Sequence, residues 1–117
     1  MKFNSPQTVD LLLSEAEKET LYLQLIEQIN KDFNLANEGI DFPKSILPEE
    51  LKIQLTEKVY RLIQYKFAEY LNLLYIIDVP ENEIKSLDGS DLLQLAEQVC
   101  FLILKREWQK VWFRNRF

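Results

Sequence analysis

Apolar residues recur three and four positions apart along most of this chain, the spacing of one helix face. Tyr22, Leu25, Ile26, Ile29, Phe33 and Ala36 predict helix A over 15–36. Ser14-Glu15-Ala16-Glu17 reads as a capping box at its start, and Asn37-Glu38-Gly39 supplies its stop. A longer stripe follows: Leu55, Val59, Leu62, Ile63, Phe67, Tyr70, Leu71, Leu74 and Ile77. It predicts helix B over 48–77, opened by Pro48 with Glu49 and Glu50 near the positive end of the dipole. Helix C is predicted over 91–113, capped by Ser90 or Asp88. Within it, Val99-Cys100-Phe101-Leu102-Ile103-Leu104 is apolar on every side, so protein must surround it.

The connections are also apolar. Ile40, Phe42, Ile46 and Leu47 predict a 37–47 segment pinned across the bundle. A single helical turn near 81–86 would pack Ile84 and Leu87, and a short piece starting at Ser5-Pro6 would bury Val9, Leu12 and Leu13. Helices A, B and C would measure about 33, 45 and 35 Å at 1.5 Å per residue. Helix B therefore overhangs its partners unless it bends. Two neighbours cannot cover the girdle at 99–104, so the N-terminal piece or a second copy of the chain must. The reading is all-α: one domain over 1–117, an up-down-up three-helix bundle with a short N-terminal helical segment and ordered connections.

Composition supports this class. Hydrophobic residues make up 47% of 117 positions, enough for a core, and two Gly with four Pro leave long stretches unbroken. No run is long and apolar enough to cross a membrane, and Met1–Pro6 carries no signal-peptide pattern. Cys100, alone inside an apolar run, reads as a small buried hydrophobe, and the expected home is a reducing cytoplasm.

Charge changes the picture at one end. Residues 1–100 hold nine Lys and Arg against eighteen Asp and Glu, a net of −9, within an acidic protein of net −5. Residues 101–117 hold five against one, a net of +4. Lys105, Arg106, Trp108, Lys110, Trp112, Arg114 and Arg116 thus form a basic, aromatic tip and are the candidate partner-binding residues.

Catalytic chemistry is sparse. The chain has no His, which removes the commonest general base and metal ligand, and one Cys cannot build a thiolate zinc site. Two glycines cannot form a phosphate-binding loop, and Leu87-Asp88-Gly89-Ser90-Asp91 and Lys105-Arg106-Glu107-Trp108 correspond to no catalytic motif. Asp78, Asn82, Asp88 and Asp91 suggest a calcium loop, but Pro80 and Glu83 stand where a ligand and the glycine belong. Glu15, Glu17, Glu19, Glu49, Glu50, Glu81 and Glu83 fall in expected first turns or loops, where capping accounts for them. Tyr60, Tyr65, Tyr70 and Tyr75 are five apart, so their hydroxyls swing around the helix instead of lining one wall; each ring is expected to pack inward.

The expectation is a protein that is not an enzyme and takes no cofactor, metal or small-molecule substrate. It is read as a protein–protein interaction module, self-association being the first partner hypothesis. The alternative is a nucleic-acid- or ribosome-associated accessory protein binding through the basic tip, by phosphate contacts and base stacking on Trp. An unusual carboxylate enzyme is the third class; it requires two acids facing each other in a cleft.

Overall fold

A computed structural model describes residues 2–116. Among them the regular structure is helical throughout: α1 (Val9–Lys18), α2 (Tyr22–Leu35), α3 (Pro48–Tyr65), α4 (Phe67–Ile77), α5 (Glu81–Lys85) and α6 (Leu92–Arg114). None is long and apolar enough to cross a membrane. The described residues form six helices and not the expected three-helix bundle: helices A and B are each interrupted, α5 is the turn expected near 81–86, and each interruption has a local cause.

Helix A is two elements. Leu21 N–H donates to Ala16 O at 2.9 Å and Thr20 N–H to Glu17 O at 3.0 Å, the paired closure of a Schellman turn. Thr20 takes a positive φ of 61°, costly for a β-branched residue, and no Gly or Pro marks the break. The Ser14–Glu17 pattern consequently lies inside α1, whose cap is Thr8, accepting from Leu11 N–H. The same closure ends α2 at Asn37 (φ 60°) and α4 at Asp78 (φ 70°).

Helix B bends at Lys66, where φ −141° and ψ 62° interrupt the ladder between α3 and α4. The bend removes the overhang and lets α4 pack against both α2 and α6. The face that α4 turns inward is narrower than the stripe read from the sequence. Tyr70, Leu73, Leu74 and Ile77 face inward, whereas Phe67 and Leu71, expected in the core, are exposed. Tyr65 and Tyr75 also face outward, against the expectation that every tyrosine ring packs inward.

α6 is the axle. Its 23 residues span about 34 Å at 1.5 Å per residue, against a longest molecular dimension of 36 Å. α1, α2, α3 and α4 all pack on it. Val99, Cys100, Leu102, Ile103 and Leu104 are buried and Phe101 is half-buried. Leu12, Leu13 and Ala16 of α1 are buried too, so the missing cover comes from this chain itself. The cap of α6 is Asp91, accepting from Gln94 N–H, and Asp88 instead receives Ser90 N–H.

The 37–47 connection is pinned as its apolar content demands. Asn30 bonds Phe42 through both backbone groups, at 2.9 and 3.0 Å, and Tyr22 donates its hydroxyl to Ile46 O at 2.7 Å. Ile40, Phe42 and Ile46 are buried, whereas Leu47 is exposed.

Candidate functional site

The end of α6 carries the seven residues singled out by their chemistry, and the fold scatters them. Trp108 lies wholly inside the bundle, and Trp112 is buried against Phe3 and Phe113, with ring centroids 5.4 and 5.1 Å apart. Four of the five basic side chains meet acids of their own chain. Lys105 Nζ lies 3.2 Å from Glu83, and Arg106 grips Asp78 through both its carboxylate and its backbone oxygen at 3.0 Å. Arg116 pairs with Glu19 and lies over the Trp112 ring, 4.4 Å from its centroid. Arg114 donates to Gln28 Oε1 at 2.8 Å.

Lys110 enters a buried polar seam between α2 and α6. Its Nζ lies 2.8 Å from Asp32 and 3.3 Å from Glu107. Burial pushes the Glu107 carboxyl up to about 9, reinforced by its hydrogen bond and charge contact with Asp32; Lys110 opposes the shift without cancelling it. Drawn as a carboxylate, Glu107 has no hydrogen-bond partner for either oxygen. Protonated, its O–H donates to Asp32, and the seam closes. Burial also works to raise Asp32, but bonds from Glu107, Lys110 and Gln28 win and hold it below the usual carboxylate range. Two acids therefore face each other with one proton between them, the division of roles used in acid–base catalysis. Yet Glu107 is fully enclosed and Asp32 nearly so, and the shallow depression nearby is lined by Gln24, Glu27, Gln28, Lys31 and Arg114 instead. The geometry fastens α2 to α6. Both acids interrupt apolar stripes, Asp32 beside Ile29 and Phe33 and Glu107 beside Leu104 and Trp108, which is the signal in the sequence that marks them.

A different surface stands out on α4. Phe67, Leu71 and Tyr75, each four residues from the next, are 56, 50 and 82% exposed and form one outward ridge. Tyr65, 75% exposed, precedes it at the bend. Taking about 200 Å² for a fully exposed large side chain, these four present on the order of 500 Å² of largely apolar surface. A monomer's largest patch is typically about 300–600 Å² and is often functional. Ala68 and Asn72, small and uncharged, flank the ridge on one side.

Comparison with protein-family models, with curated proteins and with solved structures finds no match for this chain.

Proposed function

We propose that this chain is a non-enzymatic protein–protein interaction module of the cytoplasm that self-associates through the outer face of α4. The observation that carries the reading is the Phe67–Leu71–Tyr75 ridge. It is centred on Leu71, with an aromatic ring one turn to either side, so a two-fold axis at Leu71 sets each Phe67 against the partner's Tyr75. Such a patch is self-complementary, as an isologous contact requires. Ala68 and Asn72 leave one flank of the ridge uncharged, while Arg61 and Lys66 stand beside Tyr65 at its end and would form the polar rim. About 500 Å² of apolar surface per copy, plus a polar rim, approaches the roughly 800 Å² per partner of a standard interface. That size supports a reversible dimer.

The basic tip supports a partner role less well. Lys105, Arg106, Lys110 and Arg116 are each ion-paired to acids of their own chain, and releasing them to phosphates would break those pairs. No observation favours nucleic acid over a protein partner.

Cross-linking tests the two-fold directly. Cys100 is buried with its thiol pushed up to about 11 by burial, so it stays inert under mild oxidation. A Leu71→Cys variant should therefore form a disulfide-linked dimer, while Leu23→Cys, equally exposed on α2, should not. Equal yields from the two variants would contradict the α4 interface.

A further inference from the structure

The two arms of the bend at Lys66 keep the phase of a single helix. Val59, Leu62 and Ile63 of α3 and Tyr70, Leu73 and Ile77 of α4 face inward, and their spacing of three, four or seven residues runs through the joint without slipping. No Gly or Pro lies between Pro48 and Pro80. The local sequence thus favours an unbroken helix where the fold has a bend.

The joint itself is thinly held. Lys66 N–H donates to Leu62 O, and Lys66 O accepts from Tyr70 N–H, each at 2.9 Å. A continuous helix would bond the amides of Phe67, Ala68 and Glu69 to the carbonyls of Ile63, Gln64 and Tyr65. Among the described residues these three amides have no backbone acceptor, and the Lys66 side chain does not cap the helix. All three residues are exposed, so water takes their place in the ladder.

Length explains the bend. Straightened over 48–77, the helix would measure about 45 Å, against a longest molecular dimension of 36 Å. It cannot lie within one folded chain. Swinging α4 outward carries α5 and α6 with it and strips α1, α2 and α3 of the helix they pack on. A second copy opened in the same way restores each of those contacts, in the residue pairing that the closed chain already uses.

We propose that Lys66 is a hinge, and that two copies of this chain form an intertwined dimer in which α3 and α4 fuse into one helix and the α4–α6 halves are exchanged. Each copy gains the three missing backbone hydrogen bonds. The exchange goes beyond the surface contact of α4 and does not rest on it. It requires the closed chain to open, so it forms and dissolves at the rate of unfolding, not of surface encounter.

Gln24 of α2 and Asn115 at the end of α6 report the exchange, because they lie in different halves and bond each other at 2.8 Å. Equal amounts of full-length Gln24→Cys and Asn115→Cys chains are unfolded in urea, refolded together at high micromolar concentration, diluted and treated with a short bismaleimide. Cys100 is buried and stays out of the reaction. Mass spectrometry should show a covalent heterodimer that a mixture never unfolded lacks. Phe67→Pro in both chains should abolish it. The bent form loses no bond to that proline, whereas a straight helix loses one and meets a clash at the Ile63 carbonyl. Thermal unfolding checks that this variant folds. Should it fail to, Lys66→Gly, which weakens a helix through the joint, should lower the yield instead. No heterodimer after refolding, an equal yield without unfolding, or a yield undiminished by the folded hinge variant would overturn the proposal. Failure of the α4 contact gives none of these results, since that contact leaves each Gln24 beside the Asn115 of its own chain.

Discussion

Glu107 and Asp32 face each other across the α2–α6 seam, with Lys110 Nζ 3.3 Å from the first and 2.8 Å from the second. The folded value near 9 for Glu107 lies above its unfolded value of 4.5. Its contribution to stability is therefore fully present below the unfolded value and is lost as pH rises from there towards 9, with a limiting slope of about 1.4 kcal/mol per pH unit. Asp32 acts in the opposite direction: its depressed value favours folding above the unfolded value of 3.8 and is lost in acid below it. Glu107→Gln keeps a neutral donor in place. It should raise stability at pH 8 and flatten the decline between pH 5 and 9, measured by urea unfolding at stepped pH.

The two lysine pairs of α6 should behave differently. Lys110 serves two enclosed acids, so Lys110→Met leaves charge uncompensated and should cost about 3–5 kcal/mol at neutral pH. Lys105 and its partner Glu83 are each about a third exposed, so Lys105→Met should cost under about 1 kcal/mol once solvent screening is counted. Paired denaturation curves give the comparison.

Core and surface substitutions test the phase of α4. Leu74→Ala should cost about 2–5 kcal/mol, and Trp108→Ala, fully buried in the last third of α6, about 3–5 kcal/mol. Phe67→Ala should cost under about 1 kcal/mol, because that ring faces outward. A large loss at Phe67 would mean that its ring packs inward and that the assigned outer face of α4 is wrong.

Thr20 offers a gain. At φ 61° a β-branched residue is strained and glycine is not. Thr20→Gly should stabilise the chain by about 0.5–1 kcal/mol after glycine's greater unfolded entropy is counted. Thermal unfolding reads the shift.

Much of the architecture is legible in the sequence. The apolar girdle of α6 fixes the centre, Val9, Leu12 and Leu13 announce the covering element, and Asn37-Glu38-Gly39 ends α2 where expected. The breaks at Thr20 and Lys66 are not legible, because tertiary packing imposes them on residues that usually carry no such signal. Phe67 and Leu71 lie at the edge of the apolar stripe read from the sequence, and the core takes Leu73 in their place, which a list of apolar positions at helical spacing does not distinguish. The basic tip reads correctly as composition. What the sequence cannot show is that Glu19, Asp32, Asp78 and Glu83, distant along the chain, fold back to meet it.

Sedimentation equilibrium on the intact chain and on Leu71→Asp tests the α4 face most directly. The account predicts a concentration-dependent monomer–dimer equilibrium for the unaltered chain, and for the variant a folded monomer whose thermal unfolding no longer depends on concentration. A chain that stays monomeric at high micromolar concentration, or a variant that dimerises as readily as its parent, would contradict it.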